Sequence, residues 1–467
     1  MMVSMSTSRQ TIDTAGSSRH GFGFWAVAFA FLATVAYCAI PTPLYSIYQQ
    51  RDGFSSFTIT IIYAAYAFGV AISLFTVGHL SDSHGRRRLV VPALVTSIFS
   101  ALLFLLWRDL TGLIVARFIS GLGVGAITAT ATAWLAELHS AHRPLASIRR
   151  AQVVATAANL GGIGLGPLVG GMLAQWVAAP LTVPYLLSLL VLAVALLLVL
   201  ASPETRAKAD PLPPYRVQRV SVPGHARGRY LAATAGAAIS FAAFGLFNSL
   251  APAFLVGSMH DPSHVLAGLT AFLVFGAGVV AQLAFADRSP VQALAAGIAI
   301  LIAGLTIVTV SVWLPAPSLA MFLAGGTLTG VGAGSLFKGA VAIVAETATP
   351  ETRAEALAGM FLAGYIGLSL PVVGLGALTQ FLSPATSLLI FAGALCAGIL
   401  LSSPLLFARP IDEASSASRS YGPELGDGEP DRDVRHPAVL GGNPRAPIGG
   451  RAGRGTSRSQ VLAVEGL

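Results

Sequence analysis

Long apolar runs separated by short polar loops make up most of the chain up to residue 407. A helix of about 20 apolar residues crosses the hydrocarbon core of a bilayer, which is roughly 30 Å thick. Twelve runs have about this length, and each predicts one transmembrane helix; we call them spans 1 to 12. The predicted spans cover residues 22–48, 56–80, 89–107, 110–136, 151–176, 180–201, 230–256, 264–286, 291–313, 318–345, 356–381 and 385–407. Because helices satisfy their own backbone hydrogen bonds in lipid, and no run alternates like a barrel strand, the sequence predicts an all-α membrane protein.

Polar segments outside the spans divide the chain into domains. Residues 202–229 form an arginine-bearing linker that separates six spans from six. Residues 408–467 are rich in glycine, proline, serine and charges of both signs, a composition that predicts a disordered tail. We therefore expect six-helix bundles over residues 22–201 and 230–407, preceded by a cytoplasmic tail over residues 1–21.

Composition and charge agree with a membrane protein and give it an orientation. Hydrophobic residues make up 54% of the chain and charged residues 10%, against about 25% charged in an ordinary soluble domain. Sixteen lysines and arginines before the C-terminal tail fall on one side of the spans, and only Arg51 and Arg108 fall on the other. Since basic loops stay in the cytoplasm, we expect a multi-pass plasma membrane protein with both termini inside the cell. The net charge of +8 follows from this bias and indicates no nucleic-acid partner.

The second half of the chain repeats the first. Residues 120–138 align without a gap on residues 329–347, at an offset of 209. The aligned positions are Gly121, Gly123, Gly125 and Glu137 in span 4, and Gly330, Gly332, Gly334 and Glu346 in span 10. Two parallel six-helix repeats with a central site between them are the arrangement of one large class of secondary transporters.

The loop between spans 2 and 3 contains a motif formed by Gly78, Asp82, Gly85, Arg86 and Arg87. This motif resembles the loop motif of the major facilitator superfamily. Residues 117–125 are similar to the span 4 motif of proton-coupled members. The span 5 motif of antiporters is matched by Gly162, Gly166, Pro167, Gly170 and Gly171. Together with residues 203–206, which are similar to a segment of drug exporters, these motifs make the chain resemble the twelve-helix drug:proton antiporter branch.

The resemblance implies a secondary active transporter, which we expect to act as a monomer. It implies proton-coupled export of small amphipathic molecules or drugs by alternating access. A carrier for a sugar or another metabolite is the alternative, because the fold fixes neither direction nor substrate.

The loop motif has two interpretations. The resemblance implies a conformational latch in which Asp82 contacts span 11 when the transporter opens outward. It also implies that Arg86 reaches an acid at the end of span 4, where Glu137 lies. The simpler interpretation is a topology anchor, in which Gly78 and Gly85 allow a tight turn and the arginines hold the loop on the cytoplasmic side.

The glycines of span 5 also have two interpretations. Small residues let helices approach backbone to backbone, and a proline frees a carbonyl inside the helix. These properties serve ordinary packing in many membrane proteins. The combination of Pro167 with Gly166, Gly170 and Gly171 favours the antiporter interpretation.

Two charged residues lie within spans, Arg117 in span 4 and Lys338 in span 10. Charges at membrane depth need a partner or a cavity. Arg117 either binds the carbonyls of Tyr37 and Ala39, which prolines free in span 1, or tunes proton exchange as the resemblance implies. Lys338 either extends toward the cytoplasm or binds substrate. No aspartate or glutamate lies inside a predicted span, so proton coupling would need carboxylates at the span ends or a lysine.

The resemblance places spans 1, 4, 7 and 10 around a central cavity. Candidate cavity residues there are Tyr37, Tyr45, Phe241, Phe244, Asn248 and Lys338, with Arg117 nearby. Since the fixed charges among them are positive, we expect neutral or weakly acidic amphipathic substrates rather than lipophilic cations.

Other classes of membrane protein fit the sequence poorly. An ATP-driven pump would need a glycine-rich phosphate loop that ends in Gly-Lys-Ser/Thr, which the chain lacks. An enzyme would need clustered acids or histidines at membrane depth, and a channel would need rings of like residues. Cys38 and Cys396 lie apart in two spans, so the sequence predicts no disulfide framework, metal site or other cofactor.

Overall fold

The computed structural model describes residues 4–77, 80–206, 208–211 and 214–407. Within these residues, twelve helices or broken helices are long and apolar enough to cross a membrane. This confirms the predicted all-α membrane fold. The predicted tail over residues 408–467 lies outside the described residues.

The helices agree with the predicted spans to within a few residues at most ends. Their bounds are Ser4–Ala39 with Pro41–Asp52 for span 1, Ser56–Thr76 for span 2, Arg87–Leu106 for span 3, Leu110–His142 for span 4, Arg149–Trp176 for span 5, Val183–Ala201 for span 6, Arg227–Ser249 with Ala251–Gly257 for span 7, His264–Ala284 for span 8, Pro290–Trp313 for span 9, Leu319–Thr347 for span 10, Arg353–Leu378 for span 11 and Pro384–Phe407 for span 12. A four-residue helix, Ser81–His84, lies in the loop between spans 2 and 3. The helix of span 1 begins at Ser4, well before its predicted start at residue 22.

Spans 1 and 7 are each broken near one end, where continuous helices were expected. Pro41 and Pro43 have no N–H, so the helix that ends at Ala39 cannot continue with regular hydrogen bonds. In span 7 the helix is interrupted at Leu250, ahead of Pro252. Such breaks leave backbone carbonyls without helical donors, and these carbonyls become available to side chains of other spans.

The glycines that revealed the repeat lie where helices touch. In span 4, Gly121 and Gly125 face span 2, and Gly123 faces span 3. A Cβ atom at any of these positions would overlap neighbouring backbone or side-chain atoms. Their equivalents in span 10 face spans 8 and 9 in the same way. Spans 2–4 and 8–10 are therefore equivalent groups of helices, packed by equivalent glycines.

The two halves, spans 1–6 and spans 7–12, meet along two pairs of helices. Span 2 packs against span 11, and span 5 packs against span 8. We call the end of the bundle with residues 80–86 and the starts of spans 5 and 11 the arginine-rich end. The other end, which contains the breaks in spans 1 and 7, is called the opposite end.

Candidate functional site

A central cavity of about 110 Å³ lies between the two halves. Its aromatic and amide lining residues are Phe241, Phe244, Phe275, Phe337, Phe361, Tyr63, Tyr66, Tyr365, Asn159, Asn248 and Gln282. Thr128 and Thr156 add hydroxyl groups. No charged side chain lines this cavity among the described residues. The cavity therefore offers aromatic surfaces and uncharged hydrogen-bonding groups.

The aromatic rings of the cavity support one another. The ring centroid of Phe241 lies 5.3 Å from that of Phe337 and 5.4 Å from that of Tyr365, with the Tyr365 ring edge-on. Phe244 stacks on Phe275 at 4.7 Å. These are the separations that aromatic pairs prefer, so much of the wall is built before a ligand arrives.

The structure divides the predicted cavity residues into two groups. Those that line the cavity are Phe241, Phe244 and Asn248. Tyr37 lies behind it in the first half, where its hydroxyl is 2.7 Å from Ser100 Oγ. Tyr45 is buried beside Arg117, and Lys338 lines a different space nearer the arginine-rich end. The expectation that positive charge lines the cavity is therefore wrong for this structure.

Several cavity residues were missed because they lie outside spans 1, 4, 7 and 10. Spans 2 and 11 contribute tyrosines, and spans 5 and 8 contribute Asn159 and Gln282. An uncharged amide inside an otherwise apolar span is itself a signal, since it needs a partner or a cavity. That signal could have identified Asn159 and Gln282 from the sequence alone.

The central cavity leads to a vestibule of about 490 Å³ at the arginine-rich end. Thr156 and Gln282 line both spaces, so the two are neighbours along one path. The charged residues of the vestibule are Arg149, Arg288, Lys338, Arg353, Asp287 and Glu346. Positive charge is in excess, and it lies in the vestibule instead of the cavity.

One ion pair joins the two halves across the vestibule. Arg149 Nη2, at the start of span 5, lies 2.8 Å from Asp287 Oδ2, after span 8. The Arg149 side chain is 57% exposed and that of Asp287 is 74% exposed. Exposed pairs of this kind contribute about 0–1 kcal/mol. The halves are thus only weakly connected at this point.

The opposite end is closed by contacts between the broken parts of spans 1 and 7. Pro252 cannot donate to the carbonyl of Asn248, four residues before it. Thr42 Oγ1 lies 3.0 Å from that carbonyl oxygen and 3.0 Å from Asn248 Oδ1. Asn248 Nδ2 also lies 3.4 Å from the hydroxyl of Tyr63 in span 2. The break in span 7 therefore creates an acceptor that a residue beside the break in span 1 can bind.

The start of span 8 makes further contacts with the first half at this end. His264 Nδ1 lies 3.2 Å from Ser46 Oγ, and the backbone N–H of His264 donates to Gln175 Oε1 at 3.1 Å. The Thr42–Asn248 contact is buried, the Ser46–His264 contact is partly buried, and the Gln175–His264 contact is exposed. We call these three contacts, together with the close approach of Gly171 to the His264 backbone, the opposite-end seal.

The span 5 glycines face two different helices. Gly162, Gly166 and Gly170 lie at helical spacing along one face, against the backbone of span 1. A Cβ atom on Gly171 would overlap the carbonyl oxygen of His264 in span 8. Reciprocally, a Cβ atom on Gly268 in span 8 would overlap the carbonyl oxygen of Pro167. The motif thus packs span 5 within its own half and also against the other half.

Arg117 is buried in the first half, away from the central cavity. Its Nη1 donates to the carbonyl of Cys38, and not to those of Tyr37 and Ala39 as predicted. At the break in span 1 the Tyr37 carbonyl already has a donor, because the N–H of Ile40 lies 3.2 Å from it and 3.1 Å from the Ala36 carbonyl. The structural interpretation of Arg117 accounts for this contact.

Aromatic rings complete the surroundings of Arg117. Its guanidinium carbon lies 5.2 Å from the ring centroid of Tyr45 and 6.0 Å from that of Phe104. A cation at these distances from a ring face is attracted by the ring's electrons. Arg117 therefore connects the broken part of span 1 to spans 3 and 4.

In the loop motif, Arg86 is the centre of a buried cluster, with its side chain 4% exposed. Its Nη2 lies 2.6 Å from Asp82 Oδ1 and 2.8 Å from Glu137 Oε1, and its Nε lies 3.3 Å from Glu137 Oε2. The predicted contact between Arg86 and Glu137 is present. Asp82 is 66% exposed and pairs with Arg86 in this conformation. Gly78 lies outside the described residues.

The charge of Arg86 is maintained by its acidic neighbours. Burial alone would lower the pKa of Arg86, but hydrogen bonding to Glu137 and the charges of Asp82 and Glu137 outweigh burial. The pKa therefore lies above its ordinary value. Arg86 remains a cation that can hold both acids.

Comparison with known proteins places the chain in a family. The profile of the Major Facilitator Superfamily matches residues 23–302. The chain belongs to this superfamily. An uncharacterized MFS-type transporter of Methanocaldococcus jannaschii is 25% identical over 154 residues, which cover 33% of this chain and 38% of that protein. The uncharacterized MFS-type transporter YfkF of Bacillus subtilis is 28% identical over 185 residues, covering 39% of this chain and 46% of YfkF.

A shorter similarity joins the chain to the arabinose-proton symporter of Bacillus subtilis, at 34% identity over 94 residues, 20% of this chain and 19% of the symporter. The chain thus matches less than half the length of each of these relatives. Solved structures agree over more of the chain. The nucleoside transporter NupG aligns with a TM-score of 0.63 at 12% identity, over 83% of this chain and 100% of NupG. The human organic anion transporter MFSD10 aligns with a TM-score of 0.58 at 18% identity, over 83% of this chain and 99% of MFSD10.

In this superfamily member, the segment after span 6 completes the loop cluster. The backbone N–H groups of Arg86 and Arg87 donate to the Glu204 carboxylate at 2.9 and 3.0 Å. Thr205 Oγ1 donates to Glu137 at 2.5 Å, and Arg206 Nε donates to Glu137 at 3.0 Å. The sequence indicated a motif at residues 203–206 but not that it binds the start of span 3.

Glu204 also explains a glycine of the loop motif. Gly85 has a φ of 98°, a conformation that favours glycine. A Cβ atom at this position would lie 2.9 Å from Glu204 Oε2. Gly85 therefore serves both the turn and the close approach of the Glu204 carboxylate.

Proposed function

We propose that this superfamily member exports small uncharged amphipathic molecules in exchange for protons by alternating access. The observation that carries the proposal is the uncharged, aromatic central cavity, which leads to a vestibule at one end and is closed at the other. A site between two equivalent halves, open on one side at a time, is the arrangement that alternating access requires.

The cavity lining supports uncharged substrates. An ion would enter without an opposite charge to pair with, and an unpaired charge in a low-dielectric site is costly. An aromatic or aliphatic part of a substrate would pack on Phe241 and Phe244. A polar group would bind the amides of Asn159, Asn248 or Gln282. Neutral molecules therefore fit better than the weak acids that a positive cavity would have favoured.

The charge distribution supports an arginine-rich end that faces the cytoplasm. With that orientation, the described conformation accepts substrate from the cytoplasm. Export then requires the opposite-end seal to open while the arginine-rich end closes. The span 5 glycines support this direction because they form part of the seal.

Proton coupling is assigned to carboxylates at the arginine-rich end. The candidates are Asp287 in the vestibule and Glu137 in the loop cluster, and both form ion pairs. The Asp287–Arg149 pair connects the two halves, so a change of charge at this pair would shift the equilibrium between the two open states.

The test is transport in inverted vesicles with a fluorescent uncharged aromatic amphiphile and its quaternary ammonium analogue. We expect accumulation of the uncharged probe, faster with an imposed pH gradient. Asn159→Ala should reduce accumulation of the uncharged probe. Ser403→Ala is the control, because it removes an exposed hydroxyl of span 12, and it should leave accumulation unchanged. Preference for the ammonium probe, or no response to the gradient, would contradict the substrate class or the coupling respectively.

A sugar or metabolite carrier is the second candidate. The three amides in the cavity favour it, because amide groups suit polyhydroxylated ligands. The Bacillus subtilis relative named as an arabinose-proton symporter supports the same alternative. Inhibition of probe transport by millimolar arabinose, absent with an equal concentration of glycerol, would favour this candidate.

A further inference from the structure

A groove of about 640 Å³ lies on the side of the bundle, between spans 2 and 11. Its lining is apolar apart from Ser369 and the hydroxyl of Tyr365. Phe68, Ile366 and Leu370 at the groove are exposed. These residues lie well inside helices that are long and apolar enough to cross a membrane, so we expect acyl chains to face the groove.

Small residues of span 2 create the groove. Ala64, Ala67 and Ala71 line it from that side. Nearer the opposite end the same two spans touch, since a Cβ atom on Gly376 would lie 2.5 Å from Thr60 Oγ1. The helices therefore meet at one end, and short side chains leave space between them farther along.

One side chain belongs to both the groove and the central cavity. Among the described lining residues of the two spaces, Tyr365 is shared. Its ring meets Phe241 edge-on within the cavity, at 5.4 Å between centroids. A tyrosine side chain turns about two bonds, so one rotamer change could join the two spaces.

The linker covers the arginine-rich end of the groove. The backbone N–H of Gln218 donates to the carbonyl of Phe75 near the end of span 2, at 3.0 Å. The N–H of Ser221 donates to the carbonyl of Glu355 near the start of span 11, at 3.4 Å. The linker thus passes between the ends of the two spans. The groove faces lipid, while the separate vestibule faces the arginine-rich end.

We propose that the groove is a lateral portal by which an uncharged amphipathic molecule dissolved in the bilayer reaches the central cavity, with Tyr365 as its gate. The apolar part of the molecule lies along the alanines of span 2, and its polar group meets the Tyr365 hydroxyl. Ser369, the other polar residue of the groove lining, has its hydroxyl bound within span 11, where it donates to the Tyr365 backbone carbonyl at 2.7 Å. The substrate class rests on the proposed function, whereas the route rests on the shared wall.

The test uses a neutral amphipathic probe that carries a diazirine and partitions into proteoliposomes of the full chain. After illumination, mass spectrometry locates the label on groove peptides and on cavity peptides. Ala71→Trp fills the groove without altering a cavity residue. Ile61→Trp places the same side chain on the lipid face of span 2, outside the groove.

We expect the wild type and Ile61→Trp to be labelled in both spaces. In Ala71→Trp, labelling of groove peptides and of cavity peptides should each fall about tenfold, because the added ring occupies the route. Tyr365→Ala should raise cavity labelling relative to Tyr365→Phe, which keeps the ring. A water-soluble diazirine probe of the same class should label the cavity equally in wild type and Ala71→Trp.

The outcomes separate the portal from the transport proposal. Cavity labelling that persists in Ala71→Trp with the bilayer probe overturns the portal and leaves the proposed substrate class intact. Groove labelling without cavity labelling identifies a lipid-binding groove only, and also overturns the portal. Absence of cavity labelling by both probes contradicts the proposed substrate class as well.

Discussion

The two ends of the interface between the halves are built differently. At the opposite end, Thr42 binds Asn248 across the interface, and the backbones of spans 5 and 8 touch at Gly171. At the arginine-rich end, a vestibule separates the halves and the exposed pair of Arg149 with Asp287 crosses it.

This difference indicates which end controls the conformational equilibrium. Close backbone contacts require one geometry, whereas an exposed ion pair tolerates several and is weakened by salt. The opposite-end seal should therefore provide most of the stability of the described state. The Arg149–Asp287 ion pair at the arginine-rich end should adjust that stability by a small amount.

The largest expected effect comes from the loop cluster, where the buried Arg86 guanidinium binds Glu137. Arg86→Ala removes the bidentate partner of Glu137, which keeps Thr205 and Arg206, so we expect a cost toward the lower end of the about 3–5 kcal/mol for breaking a buried pair. We expect a lower unfolding temperature in detergent and severely reduced transport. Arg149→Ala is the matched control, because its ion pair is exposed. Equal unfolding temperatures for the two variants would contradict the assignment of Arg86 as a buried structural centre.

The next effect comes from breaking the opposite-end seal. Gly171→Leu or Gly268→Leu puts side-chain atoms where backbone oxygens lie, and overpacking costs roughly 1–3 kcal/mol. We expect the ratio of sealed to unsealed molecules to fall about tenfold or more, and export to fall with it. Gly161→Leu is the control, since a Cβ atom there meets nothing within 4 Å. Normal export by Gly171→Leu would show that this contact is not needed for the transport cycle.

A smaller effect is expected at the hydrogen bond of the seal. Thr42→Val keeps the side-chain volume but removes the donor to Asn248, a loss of about 1 kcal/mol. The described state should become less populated by roughly fivefold. Thr42→Ser retains the donor and should behave like the wild type. Spin-label distances across the opposite end would measure the shift, and identical distributions for both variants would refute the role of the bond.

The smallest effect is expected at the exposed ion pair. Arg149→Ala or Asp287→Ala should change the equilibrium by less than about 1 kcal/mol. The conformational equilibrium of the wild type should approach that of the variants as the salt concentration rises from 0.05 to about 1 M, because salt screens exposed charges. A large effect that persists in high salt would mean that the pair is protected in another state.

Much of the fold could be predicted because its causes are local in sequence. Apolar length identified the spans, and glycine spacing in spans 4 and 10 identified the repeat. The contact of Arg86 with Glu137 was implied by the resemblance of the loop motif to that of the superfamily. In each case the informative residues recur at a regular spacing or lie close together in the sequence.

The rest depends on how the two halves come together. Asn248 was predicted as a cavity residue of span 7, but its binding to Thr42 requires the breaks in both spans. Lys338 was expected in the cavity, yet its position along span 10 puts it in the vestibule. The partner of Arg117 was assigned to the wrong carbonyls because Ile40 already binds one of them.

The central claim, that the cavity opens at the arginine-rich end and is sealed at the other, is tested most directly by thiol accessibility. Thr156→Cys, in a background with Cys38→Ala and Cys396→Ala, places one thiol between the cavity and the vestibule. A membrane-impermeant maleimide should label it faster in inverted vesicles than in right-side-out vesicles. Adding Gly171→Leu should shift labelling toward right-side-out vesicles, because that substitution breaks the seal. Labelling that is equal from both sides, or faster from the opposite end without Gly171→Leu, would contradict the account.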